Sequence, residues 1–164
     1  MELRGRVIKS GTASGLALVS PEPIGFLGGV DPDTGLVVER GHPLEGQSVA
    51  GRVLVFPTGK GSTVGSYTLY RLARAGLAPA AIVNAESEPI VAVGAIMAGI
   101  PMVDRVDITL IRTGDTVHID GAHLTIDPNP QYPVSKFQYP VPDPQSPPPD
   151  TRYLLPDSHQ EDTP

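Results

Sequence analysis

The chain contains no cysteine. This excludes disulfides, a thiol nucleophile, and any zinc or iron–sulfur site ligated by the chain's own thiolates. A basic excess is also missing: 12 Lys and Arg face 18 Asp and Glu, for a formal net charge of -6. Nucleic-acid binding needs clustered cations to neutralise phosphates, so it is not expected. No apolar run reaches the ~20 residues of a membrane-spanning helix. The longest, Pro89 to Val103, is interrupted by Gly and Pro. The start, Met1-Glu2-Leu3-Arg4, carries no apolar signal segment. The expectation is a soluble cytoplasmic protein with no membrane partner. No internal repeat is present.

Glycine is absent after Gly121, whereas 11 of the 19 prolines lie in 128–164. Glycine serves turns that need positive φ, and a proline-rich, glycine-free segment cannot build a regular hydrogen-bond ladder. This places a domain over 1–127 and a tail over 128–164. Two readings of the tail stand. It is a disordered extension, or an extended strap whose Tyr132, Phe137, Tyr139 and Tyr153 dock on a partner chain.

With 164 residues, 40% of them hydrophobic, the chain can bury a core of its own. Strands are expected over 4–10, 13–20, 36–38, 51–56, 80–84 and 101–104, with a hairpin of 116–119 and 122–126 closing on a type I′ turn at Asp120-Gly121. A helix starts near Val64, with Val64, Thr68, Leu69, Leu72 and Ala73 on its buried face and Gly76 as its stop. Residues 90–98 are periodic as strand or helix, and their alanines and the stop at Gly99 favour a helix. Strand–helix–strand–helix–strand in the middle implies right-handed crossovers, parallel pairing, and an α/β domain of layered mixed sheets with helices on one side.

The segment that carries chemistry is Pro57-Thr58-Gly59-Lys60-Gly61-Ser62-Thr63, between a buried strand and a helix. Ligand sites gather at the carboxyl ends of such strands. Glycines permit close backbone approach, the helix start offers unpaired N–H groups, and Lys60 adds a charge, so an anion site is expected. The loop is not a phosphate-binding Walker motif, because Gly61 follows Lys60 and no glycine stands five residues before Gly59. Ser62 or Thr63 is expected to cap the helix. The sharper reading makes Ser62 a base or nucleophile activated by the local field. Gly28-Gly29, before Asp31, reads equally as a plain turn or as a second backbone wall of the site. His118 and His123 flank the hairpin turn, where a surface pair is expected over a metal site. Glu86 and Glu88 read as acids of a loop and helix start, and His42 is assigned no role.

Several blocks together resemble a known family. Phe26-Leu27-Gly28-Gly29-Val30-Asp31, Gly51 to Pro57, Gly59-Lys60-Gly61-Ser62-Thr63-Val64-Gly65-Ser66-Tyr67 and Ala92-Val93-Gly94-Ala95 are similar to small subunits of the aconitase-X family. Within it, the archaeal enzymes that dehydrate phosphomevalonate are the nearest. The resemblance covers about residues 3–127 and implies a swivelling β/β/α domain, equivalent to the mobile last domain of aconitase. It implies a large aconitase-like subunit as partner, holding an iron–sulfur cluster (4Fe-4S) on its own cysteines as Lewis acid. The implied reaction is loss of water from 5-phosphomevalonate, with Ser62 as proton acceptor and Gly28, Gly29, Asp31, Lys60, Gly61 and Thr63 around an anionic substrate. Gly41-His42-Pro43-Leu44 looks more like relatives that dehydrate cis-3-hydroxyproline, the same-fold alternative. A non-catalytic anion-binding regulatory module is the alternative of another class.

Overall fold

A computed structural model describes residues 1–131. The expected tail lies outside the described residues from 132 onward. Eight strands and two α-helices form the domain: β1 (Glu2–Arg4), β2 (Arg6–Lys9), β3 (Thr12–Val19), β4 (Val53–Phe56), α1 (Gly65–Arg74), β5 (Ala81–Asn84), α2 (Pro89–Ala98), β6 (Met102–Asp104), β7 (Thr116–Asp120) and β8 (His123–Asp127).

The strand order is β1-β8-β7-β3-β4-β5-β6-β2. β3 joins two sheets. Its residues Thr12 to Leu16 pair antiparallel with β7, and Ala17 to Val19 pair parallel with β4. Arg52 occupies the fork, donating from Nε to the Leu16 carbonyl (3.2 Å) and from Nη2 to that of Ala17 (2.9 Å). β4, β5 and β6 continue in parallel, with α1 and α2 as the crossovers, and β2 closes the edge antiparallel to β6.

Alternation along the strands divides the core into two layers. Val53, Val55, Ala81, Val83 and Val103 face Val117, Ile119, Leu124 and Ile126 of the antiparallel sheet. Leu54, Phe56, Ile82 and Met102 face Leu69 and Leu72 of α1 and Val91 and Ala95 of α2. The arrangement is therefore sheet on sheet, with both helices on one outer face. The segment 24–49 completes the helical layer with Ile24, Phe26, Val30, Val37, Leu44 and Val49.

Four local expectations need correction. The first strand breaks at Gly5, where a Cβ would stand 2.6 Å from the Asp104 carbonyl oxygen and 2.8 Å from Val106. Residues 36–38 form isolated bridges from Leu36 to Ser48 and Val37 to Val30, because the loop folds on itself rather than along a sheet edge. The hairpin turn is Gly121-Ala122, closed by the Asp120–His123 pair. Positive φ falls on Gly121 (59°) and not on Ala122, the pattern of a type II′ turn. On α1, Thr68, Leu69 and Leu72 are buried as expected, but Val64 is exposed and Ala73 half-buried.

The helices cross at Gly94. A Cβ there would stand 2.7 Å from Leu69 Cδ1 and 3.1 Å from Ser66 Cα. A mid-helix glycine costs up to about 1 kcal/mol relative to alanine, and here the close crossing offsets it. Gly94→Val overfills this contact, and its expected cost is about 2 kcal/mol, seen as a lower urea midpoint of the full chain with an unchanged slope.

Candidate functional site

The carboxyl ends of β4, β5 and β6 lie along one edge of the parallel sheet, as the parallel registers require. The loop after β4 crosses this edge. Ile24 N–H donates to the Thr58 carbonyl (3.3 Å) and Lys60 N–H to that of Ile24 (3.1 Å), so residues 58–60 run beside residue 24 as a bridge. Gly61 then takes φ 94°, which reverses the chain into α1.

The entry to α1 differs from the expected cap. Successive i→i+3 bonds run from Gly65 to Ser62 (2.9 Å), Ser66 to Thr63 (3.4 Å) and Tyr67 to Val64 (3.0 Å). Backbone carbonyls thus satisfy the first helical N–H groups. Val64 is the N-cap, in helical conformation and with no side-chain bond, so neither Ser62 nor Thr63 caps the helix. Ser62 Oγ accepts only a long bond from Val64 N–H (3.3 Å). Ser62 and Thr63 are exposed, and the N–H groups of Gly61, Ser62 and Thr63 have no acceptor among the described residues. A hydroxyl therefore sits within a cluster of unpaired donors, a field that favours an anion or the alkoxide form of the serine.

The other predicted residues distribute unevenly around this loop. The 25–29 turn packs directly against it. A Cβ on Gly25 would stand 3.1 Å from the Lys60 carbonyl oxygen, and one on Gly65 would stand 3.5 Å from Leu27 N. A Cβ on Gly29 would overlap the Gly25 carbonyl oxygen, so glycine is required for the turn itself. Gly28 is exposed at φ 76° with open space around it. The Gly28-Gly29 segment is thus both a turn and a neighbour of the loop. Asp31 holds its own turn, where its Oδ1 accepts Asp33 N–H (2.9 Å). Lys60 is not the free charge expected, because its Nζ lies 2.6 Å from Glu39 Oε1.

Sequence reasoning missed Glu39, since nothing in its spacing ties it to Lys60. Glu88 was legible as a helix-start acid, but its position was not. It caps α2, accepting from Ile90 N–H (2.9 Å) and Val91 N–H (2.7 Å), with Pro89 in the first turn. A Cβ on Gly59 would overlap this carboxylate. The loop therefore passes directly over the N-terminus of α2. Asn84, at the end of β5, is fully buried and donates to the Phe56 carbonyl (2.9 Å).

Asp104, at the end of β6, was missed as well. It is buried, receives Arg6 Nε (2.9 Å) and Nη2 (2.7 Å) as a fork, and accepts Ser87 N–H (3.0 Å). Burial alone would raise its pKa. The Arg6 and Ser87 hydrogen bonds outweigh burial and hold it at about 2. The group thereby anchors the 85–88 loop from which Glu88 reaches Gly59.

His42 is buried, with Nδ1 accepting Leu44 N–H (3.1 Å) and Nε2 facing the Pro23 carbonyl (3.0 Å). His118 and His123 do not face each other. His118 pairs across the hairpin with Thr125 and contacts Ser14 Oγ (2.8 Å), while His123 opposes Asp120. No group of three His, Cys, Asp or Glu among the described residues is arranged to hold a metal ion.

The sequence model of the aconitase X swivel domain matches residues 2–127. The chain belongs to the aconitase X swivel domain family. The crystal structure of Thermococcus kodakaraensis aconitase X in its holo form superposes on this swivel domain with a TM-score of 0.76, at 50% identity over 77% of this chain and 98% of that one. A solution NMR structure gives 0.72 at 47% identity, over 78% of this chain and all of that one. The phosphomevalonate dehydratase small subunit of Methanocella arvoryzae is 58% identical, over 74% of this chain and 94% of its own length. That of Thermococcus gammatolerans is 53% identical, over 73% and 92%. The expected β/β/α swivel fold is therefore the observed one.

In this swivel domain the Asp104 anchor sets an acid limit. Its carboxyl titrates at about 2 when folded and near 4 when unfolded. Its contribution, roughly 2 kcal/mol, is complete above about pH 4 and is lost as pH falls through 2. Asp104→Asn is expected to lower urea-unfolding stability by about that amount at pH 7, and the gap to the parent chain narrows between pH 4 and pH 2.

Proposed function

We propose that this chain is the small subunit of a heteromeric hydro-lyase that removes water from (R)-5-phosphomevalonate to give trans-anhydromevalonate 5-phosphate. Its relatives carry the name phosphomevalonate dehydratase small subunit at 50–58% identity. The observation that carries the chemical reading is Ser62, exposed among the unpaired N–H groups of Gly61 and Thr63 at the sheet's carboxyl edge.

In this reading Ser62 is the base. Its alkoxide takes a proton from the carbon next to the substrate's carboxylate. The C–H electron pair becomes the new C=C bond as hydroxyl leaves the adjacent carbon. A serine alcohol is too weak a base near neutral pH unless its anion is selectively stabilised. The N–H groups around Ser62 supply that stabilisation. Gly61 and Thr63 offer backbone donors to an anionic part of the substrate, with Lys60 and the Gly28-Gly29 turn at the border.

The chain cannot act alone in this scheme. It has no cysteine and no metal-binding cluster among its described residues, so its donor set does not fit an iron–sulfur cluster. We place that cluster on the large aconitase-like subunit. Closure of the swivel domain over that subunit would exclude water from the reacting carbon. No helix among the described residues is long and apolar enough to cross a membrane. His42 binds Leu44 N–H and the Pro23 carbonyl; a cis-3-hydroxyproline dehydratase subunit of the same fold is the alternative, and it changes only the substrate.

The test is Ser62→Ala in the chain co-purified with its large subunit. Dehydration of 5-phosphomevalonate is expected to fall roughly 10²- to 10⁴-fold while the complex elutes unchanged. Undiminished turnover rejects the serine base.

A further inference from the structure

Lys60 is the only cation within the Gly59–Thr63 loop, yet its charge is already taken. The Glu39 carboxylate lies 2.6 Å from its ammonium, with both side chains partly exposed (32% and 44%). Glu39 is held from the far side. Its N–H and that of Val38 both turn to the Gly29 carbonyl (3.4 and 2.8 Å), and its second oxygen would stand 3.6 Å from a Cβ on Gly29. Lys60 is fixed at its backbone, where its N–H donates to Ile24 and its carbonyl packs against Gly25. The ion pair thus closes a ring of backbone segments, 24–29, 39 and 59–61, beside the unpaired donors at Ser62.

From this juxtaposition we propose that Glu39 is a resident counter-ion that competes with the ligand for Lys60 and so sets the loop's affinity for anions. It occupies Lys60 until an anionic group of the ligand takes its place. The inference deepens the proposed function, since the group that would displace Glu39 is the phosphate or carboxylate of that substrate. A phosphate dianion competes for an ammonium more strongly than a monocarboxylate does, because two charges act at the same distance. A partly exposed ion pair is weak enough to be exchanged at little cost. The resident carboxylate therefore lowers the loop's affinity for every anion, and a dianion, the stronger competitor for the ammonium, is the ligand that overcomes it at the lower concentration. Glu39 acts through Lys60 and is a positioning residue.

The test is a titration of the full ¹⁵N-labelled chain with inorganic phosphate at pH 8, read at the amide signals of Gly61, Ser62 and Thr63. Glu39→Gln keeps the shape and removes the charge; Glu39→Ala guards against an effect of the amide itself. Both variants are expected to bind phosphate three- to tenfold more tightly than the parent chain. Lys60→Met added to Glu39→Gln should abolish that gain. Acetate should gain no more than phosphate does and remain the weaker ligand. Unchanged or weaker phosphate binding in both Glu39 variants, absence of binding in every form, or a gain that persists without Lys60, overturns the proposal. A merely structural role would move the melting temperature and leave these affinities alone. The titration needs no turnover. If the assembled enzyme fails to dehydrate phosphomevalonate, the proposed function fails while this result stands.

Discussion

Close approach of backbone to backbone is the constraint that shapes this domain and its site. Gly29 and Gly59 stand where a single Cβ would strike a carbonyl or a carboxylate, Gly25 where it would crowd the Lys60 carbonyl, and Gly94 where it would strike the neighbouring helix. These contacts pack the loop after β4 between the 24–29 turn, to which it is hydrogen-bonded at Ile24, and the start of α2. Once they are so close, the carbonyls of Ser62, Thr63 and Val64 fold inward to the first turn of α1. The amides of Gly61, Ser62 and Thr63 are left with no acceptor among the described residues. The donor cluster around Ser62 is thus a product of packing, and no charged side chain is needed to create it.

The electrostatics of the edge follow the same logic. Three carboxylates near it are committed, Glu88 to the N-terminus of α2, Asp104 to Arg6 and Ser87, and Glu39 to Lys60, while Glu86 is exposed 3.9 Å from Arg6. Committed carboxylates hold backbone in place without adding free negative charge where an anion must come. In the proposed function, this is how a chain of net charge -6 would still receive an anionic substrate. The local dipoles decide the matter, and the total charge mainly governs long-range steering.

Much of this is legible in the sequence. Alternation and apolar runs locate β4, β5, β6 and both helices, because burial on both faces leaves an unmistakable composition. The same reading places the Gly-Lys-Gly-Ser-Thr loop at a strand's carboxyl end. What escapes is non-local. Nothing in the spacing of Glu39 and Lys60, 21 residues apart, indicates an ion pair. Nor does the sequence show that Arg6 reaches Asp104 across 98 residues. The cap expected at Ser62 or Thr63 loses to geometry, since backbone carbonyls reach the helical N–H groups first. The type I′ turn fails by one position, because Ala122 keeps negative φ and Gly121 takes the strained place.

In the proposed reaction Ser62, held in a cluster of backbone donors, is the group that meets the carbon losing its proton. A crystal structure of the small and large subunits together, with 5-phosphomevalonate bound, measures this directly. Ser62 Oγ is expected about 3 to 3.5 Å from the carbon next to the carboxylate, the separation of a group poised to react. A closed complex with that oxygen turned away from the substrate, and another side chain at the carbon, would contradict the serine base.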